Sequence, residues 1–224
     1  MKKSIPVTIL ILVVSLFIPI SSGWGQRKPS PVVQQKFSVP ALSVFIAGSY
    51  FGQKFADVNA VYSTLESNLS LPAGSDFRNY YSVLAGIRFS PNNTQSVQGE
   101  FGGSVMKAVK DKSINYLQMY YAGGSYILSL PLQMVSVYGG GGLGYVWLNT
   151  QRTYTTRLGV AAVNAQLAQL HALFGLQFFE PSGVSFSLEG RYNYATTVWP
   201  QRADLNFTMK GISAGIQIGV PINM

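Results

Sequence analysis

The sequence predicts an all-β fold: an antiparallel, eight-stranded transmembrane β-barrel with short turns at one end and longer loops at the other. Three observations predict it. The first is composition. Of 224 residues only 11% are charged, while 47% are hydrophobic, 13% are aromatic and 23 are glycine, against about 25% charge in an ordinary soluble domain. That balance argues against a water-soluble globule, and the aliphatic and aromatic content argues against disorder. The second is that, past the first residues, no apolar run reaches the roughly 18 residues of a membrane-crossing helix. The third is a period of two that recurs along the chain, placing apolar side chains on one face and small or polar ones on the other.

The N-terminus is read separately from the barrel. Lys2 and Lys3 precede an apolar run from Ile5 to Ile20, and Ser21, Ser22, Gly23 and Gly25 follow. These are the basic, apolar and small-residue regions of a secretory signal, and Pro6 and Pro19 interrupt the run as a membrane anchor would not. Residues 1–25 are therefore expected to be a cleaved signal peptide that sends the chain beyond the inner membrane. Residues 26–41 hold Arg27, Lys28, Lys36, Pro29, Pro31 and Pro40, a composition that reads as a flexible periplasmic leader. Residues 42–224 are left for the barrel. The chain has no cysteine, which removes disulfides, thiolate metal sites, cysteine nucleophiles and a lipidated cysteine anchor.

Eight strands are expected, at about 43–52, 79–90, 95–107, 114–130, 135–148, 165–180, 184–196 and 205–220. In the first, Leu42, Val44, Ile46 and Tyr50 alternate with Ser43, Ala47 and Ser49. Tyr81, Val83, Ala85, Ile87 and Phe89 alternate with Ser82, Gly86 and Arg88 in the second. Val97, Phe101 and Val105 alternate with Gln98, Glu100 and Ser104 in the third, and Phe186, Leu188, Tyr192 and Tyr194 with Ser187, Glu189 and Arg191 in the seventh. Short links at residues 91–94, 131–133 and 181–183 have turn chemistry. Longer links at 54–78, 108–113, 149–164 and 197–204 lie at the opposite end, the asymmetry of an outer-membrane barrel with short periplasmic turns and long extracellular loops.

Energy decides which face meets lipid. An arginine on the lipid face at the midplane costs about 2–4 kcal/mol, so the parity carrying Arg88, Glu100, Glu189 and Arg191 points inward as a polar network of the lumen. Arg88 is expected to offset Glu100, and Glu189 to offset Arg191. Tyr80, Tyr116, Tyr120, Tyr126, Tyr138 and Leu173 are assigned to the same inward set, filling a barrel only wide enough for side chains. Two interfacial girdles are read from Tyr50, Tyr80, Tyr81, Trp147, Tyr194 and Trp199 towards the loops and Phe89, Phe178, Phe179 and Phe186 towards the turns.

The stretches Val135 to Tyr145, Phe174 to Phe178 and Phe186 to Tyr192 resemble the small outer-membrane barrel family of Gram-negative bacteria, and the resemblance covers nearly the whole mature chain. It implies residence in the outer membrane and insertion by the outer-membrane insertion machinery. In that family the machinery reads a pattern in the last strand, matched here by Gln217, Gly219, Ile222 and Met224 or by Ser213, Gly215, Ile218 and Val220.

Gly139, Gly141 and Gly144 match a dinucleotide-binding fingerprint, but no acidic residue occurs between Asp111 and Glu180 to hold a ribose; the glycines read instead as relief of crowding in a curved strand. His171 is the only histidine, so no site of several histidines holds a metal. No cofactor is expected. His171 has inward parity, with Gln169 and Leu173 two residues away, and no nucleophile beside it on its own strand face. Lys107, Lys110 and Lys112 make one loop cationic around Asp111, a solvated tip by default and otherwise a rim facing lipopolysaccharide phosphates. No aromatic and basic interleaving forms a groove for nucleic acid. The expected function is thus non-enzymatic, an envelope structural or surface-interaction role among outer-membrane lipids and lipopolysaccharide. The alternatives are a lipid-modifying enzyme using His171 and a narrow pore for small polar solutes.

Overall fold

The computed structural model describes residues 41–110, 113–132, 135–154, 159–179, 183–198 and 206–222. The expected signal peptide and all of the expected leader except Ala41 lie outside them. The strands are β1 (Ala41–Lys54), β2 (Arg78–Asn92), β3 (Gln95–Lys110), β4 (Ser113–Leu132), β5 (Val135–Tyr154), β6 (Gly159–Phe179), β7 (Ser185–Thr197) and β8 (Thr208–Ile222). Each pairs antiparallel with the next, and β8 returns to β1 from Leu42↔Ile222 to Lys54↔Lys210, closing the barrel. Closure leaves no unpaired strand edge, the condition for spanning a layer that offers no hydrogen bonds.

The strands run further at the loop end than the alternation suggested. Residues 149–154 and 159–164, read as loop from the sequence, belong to β5 and β6, and the ladder continues through Thr150↔Val163, Arg152↔Ala161 and Thr153↔Val160. Threonine and valine suit a pleated strand, but polar groups on both faces here erase the hydrophobic alternation. β4, β5 and β6 consequently reach 20, 20 and 21 residues, against 13 for β7 and 14 for β1.

The link between β1 and β2 also contains structure that the sequence reading missed, the helix α1 (Ala56–Asn68). Asp57 sits in its first turn, where a carboxylate favours the helix dipole. Val58, Tyr62 and Glu66 are its buried residues; a spacing of four puts them on one stripe. That stripe carries a glutamate and only two apolar residues, too weak a signal to distinguish from a polar loop.

Side-chain direction follows the expected parity in most strands. Val44, Ile46, Tyr81, Val83, Ile87, Val97, Phe101 and Leu188 face outward and are exposed, whereas Ser82, Arg88, Glu100, Ser187 and Arg191 are buried inside. This is the reverse of a water-soluble barrel, whose apolar groups fill the interior. β4 departs from the assignment. Tyr120 and Tyr126 are exposed on the outer face, and Tyr116 shares their parity, while Tyr121 and Ile127 are buried in the lumen instead. Adjacent tyrosines at 120 and 121 gave the segment no usable parity. Tyr80 is buried within the barrel against Phe51, their rings stacked at 4.7 Å, so it belongs to no girdle. Tyr50 and Tyr81 form an outer pair at 5.2 Å and Tyr145 and Trp147 another at 4.7 Å. Trp199 and the side chain of Phe179 lie outside the described residues.

The outer face makes a depth-dependent prediction. Leu170 is exposed at the middle of β6 and Val109 at the loop end of β3. In denaturant unfolding from lipid vesicles, Leu170→Arg is expected to cost about 2–4 kcal/mol and Val109→Arg about 0–1 kcal/mol. Equal costs would mean that the exposed apolar band does not lie in hydrocarbon.

Candidate functional site: a lumen closed by a helix

The lumen has a charged network towards the turns, an apolar plug towards the loops and a small cavity between them. In the network Arg191 on β7 holds two carboxylates. Its Nη1 and Nη2 donate to both oxygens of Glu100 on β3, the second at 2.8 Å, and its Nε donates to Glu189 two residues away. All three side chains are nearly inaccessible. The remaining carboxylate positions are filled as well: Tyr121 Oη and Gln98 Nε2 donate to Glu100 at 3.0 and 2.7 Å, and Tyr138 Oη donates to Glu189 at 3.0 Å. Burial of paired charges is tolerable only with such complete hydrogen bonding.

Arg88, Glu100, Glu189 and Arg191, the four residues assigned to the lumen, thus all face it; Glu189 meets Arg191 as expected, but Arg88 does not meet Glu100. In the β2–β3 register Arg88 lies opposite Gln98 and Glu100 opposite Gly86. Arg88 therefore donates from Nε and Nη2 to Gln98 Oε1 at 2.9 and 2.7 Å and from Nη1 to Gln177 Oε1 at 3.3 Å. Its guanidinium lies 5.5 Å from the centre of the Tyr138 ring, a cation–π position. Glu100 spans the lumen to Arg191.

His171 on β6 meets a serine that its own strand does not supply. Ser125 Oγ on β4 is 2.8 Å from His171 Nε2, and the Tyr121 ring stands edge-on to the imidazole. His171 Nδ1 is buried without a hydrogen-bond partner among the described residues. A serine–histidine nucleophile needs a third group to orient the base and a path for substrate. Here neither is present among the described residues, and Ser125 and His171 are 4% and 5% exposed inside the barrel. The glycines of β5 make room for this arrangement: a Cβ on Gly142 would stand 2.2 Å from the Gly124 carbonyl oxygen and 2.6 Å from the imidazole. Gly139, Gly141 and Gly144 lie within one continuous strand, followed among the described residues by strand β6 and not by a helix.

Above the network, a cavity with about 20 Å³ open to the centres of water molecules is lined by Ser82, Ser104, Gln169, Arg191 and Asn193 among others. Ser82 Oγ and Ser104 Oγ are buried without hydrogen-bond partners among the described residues, so the space suits a single water.

The loop end is shut by α1 and the segment after it. Phe55, Val58, Tyr62 and Phe77 are buried in one apolar cluster with Tyr80, Leu117, Val146, Leu148, Phe207 and Met209 of the barrel wall. Tyr62 Oη donates into the β5–β6 ladder, where the Thr150 and Ala161 carbonyl oxygens lie 2.9 and 3.2 Å away. Burial pushes the Tyr62 phenol above its ordinary pKa, only partly opposed by its bond to Thr150 and by Arg152, so it remains a neutral donor. Arg152 of β5 is the hub. It contacts Glu66 Oε1 at 2.5 Å, Asn115 Oδ1 at 2.8 Å and the Ser75 carbonyl at 2.6 Å, with the Tyr62 ring 4.6 Å from its guanidinium carbon. Glu66 also accepts from Tyr154 Oη and the Gly74 amide, each at 3.0 Å. Neither Glu66 nor Arg152 was singled out from the sequence, because charges in a long link count by default as solvated.

Lys107 points outward at the rim, its ammonium 5.5 Å from the centre of the Tyr116 ring. Lys112 and the side chain of Lys110 lie outside the described residues. Among the described residues no cluster of histidine, aspartate and glutamate is arranged to hold a metal ion.

No family model and no curated protein sequence matches the chain. Solved structures do. The attachment invasion locus protein Ail of Yersinia pestis superposes with a TM-score of 0.50 at 15% identity, covering 81% of this chain and 99% of that one. Neisserial surface protein A superposes with a TM-score of 0.50 at 15% identity, covering 79% and 96%. With the closed order of eight antiparallel strands and the outward apolar face, these likenesses establish that the chain has the fold of the small eight-stranded outer-membrane barrels of Gram-negative bacteria.

Proposed function

We propose that the protein resides in the outer membrane as a non-enzymatic, non-conducting barrel whose role is exercised at its outer surface, in envelope structure or in surface interaction. The observation that carries this reading is the closed lumen: an apolar plug pinned by Arg152 and Glu66 above an ion-pair network pinned by Arg191. Such an interior supports neither a solute path nor entry of a lipid substrate, and it favours the exterior and the rim as working surfaces. Outer-membrane lipids and the phosphates of lipopolysaccharide are the proposed partners, with Lys107, Lys110 and Lys112 as the rim that meets them. The outer-membrane insertion machinery is the proposed partner in assembly.

A specific observation keeps the enzyme reading in view, the 2.8 Å contact of Ser125 with His171. Its burial inside the barrel separates it from lipid in the surrounding layer, so the pair is assigned to lumen packing. One purified preparation tests all three readings. The protein is expected to sediment with outer membranes through carbonate washing, to give no steady conductance in planar bilayers and to release no fatty acid from phospholipid vesicles. Steady ion-selective conductance would establish the pore instead, and lipid hydrolysis abolished by His171→Ala would establish the enzyme.

A further inference from the structure

Where the apolar outer band ends on β4, β5 and β6, the sheet continues outward with a distinct surface. Two rows of side chains cross the three strands in register. The lower is Tyr120↔Trp147↔Gln166 and the upper is Gln118↔Asn149↔Asn164, and all six residues are exposed. Below them Leu143 and Leu170 continue the apolar band. The lower row is braced: the Tyr145 and Trp147 rings meet edge to face, and Tyr145 Oη donates to Gln166 Oε1. The upper row is not, since the carboxamides of Gln118, Asn149 and Asn164 hydrogen-bond to no other described residue. Neither row carries a charge; Lys107 stands at their edge over Tyr116.

We propose that this face binds the uncharged saccharide headgroup of a glycolipid whose acyl chains lie against the apolar band below. The proposal rests on the membrane reading above. Continuity with the band makes the occupant a lipid, and the chemistry of the rows selects its headgroup. Aromatic faces such as Trp147 and Tyr120 pack against the apolar C–H face of a sugar ring. Each carboxamide offers a donor pair and an acceptor, matching hydroxyls that both give and take hydrogen bonds. Three carboxamides on neighbouring strands span about 10 Å, the reach of a two-sugar unit. A phosphate headgroup would call for arginine or lysine in their place.

The test uses the full mature chain in phosphatidylcholine nanodiscs, titrated with a diglycosyl diacylglycerol or with phosphatidylglycerol. NMR of the Trp147 indole and of the Gln118, Asn149 and Asn164 side-chain amides is the readout. Saturable shifts are expected with the glycolipid alone, and apparent affinity is expected to fall about tenfold in Trp147→Leu and in the paired variant Gln118→Ala/Asn149→Ala. These positions are exposed, so folding is expected to survive, and the paired variant leaves the aromatic row intact if Trp147→Leu perturbs the barrel. Equal shifts with both lipids, shifts with phosphatidylglycerol alone, or unchanged affinity in the paired variant would overturn the proposal while leaving the membrane reading intact. Failure of the wild-type chain to enter nanodiscs would overturn the membrane reading itself.

Discussion

Arg191→Met is expected to lower unfolding stability by at least about 3–5 kcal/mol, the cost of leaving a buried charge without its partner. The substitution leaves two carboxylates, Glu100 and Glu189, facing each other across a lumen from which water is largely excluded. Tyr121 and Tyr138 still donate to them but bring no charge. Urea unfolding in lipid vesicles measures the loss. Removing the carboxylates together with the arginine, as Arg191→Met/Glu100→Gln/Glu189→Gln, is expected to recover much of it, because neutral groups have little solvation to lose on burial. A single-variant loss below about 1 kcal/mol, the scale of an exposed pair, would show that the network is solvated.

Arg152→Met is expected to release α1 without opening the barrel wall. The change strips Glu66, Asn115 and the Ser75 carbonyl of their shared donor and leaves Glu66 buried without a cation, again a cost of about 3–5 kcal/mol. The cost falls on the docked helix, since the β4–β5 and β5–β6 ladders keep their backbone bonds. Hydrogen exchange should therefore quicken across residues 56–77 while strand amides stay protected, and limited proteolysis should cut first in that segment. Adding Glu66→Leu is expected to restore part of the protection. Unchanged exchange in the single variant would mean that Tyr62, Phe55 and Phe77 hold the plug by apolar packing alone.

Both predictions depend on contacts between residues far apart in sequence, and this is where sequence reasoning reached its limit. A period of two gives the parity of each strand, so the inward placement of Arg88 and Glu100 was legible from their own segments. Register between strands is not contained in that period. Glu100 and Arg191 are 91 residues apart and meet across the lumen of the closed ring, while Ser125 and His171 are 46 apart and meet over Gly142 once β4, β5 and β6 are in register. Parity itself was illegible in β4, where tyrosine occurs on both faces. The plug was illegible for a different reason: its helix is short, its apolar stripe is interrupted by Glu66, and nothing in residues 56–68 announces that a barrel mouth will supply the missing apolar partners.

The plug also ties the segment after the first strand to the start of the last. α1 follows the first strand, yet it is fastened to the last: the Thr208 amide donates to Asp57 Oδ2 at 2.7 Å, and Phe207 and Met209 enter the cluster around Phe55 and Tyr62. The β1–β8 seam joins segments separated by most of the chain, a pairing of high contact order and therefore slow to form. Before the seam closes, α1 lacks the β8 part of its pocket; once it closes, the helix fills the mouth of the completed ring. A chain halted before the seam closes would expose both an unpaired strand edge and the side of α1 that Phe207 and Met209 cover, the form on which a folding assistant would act.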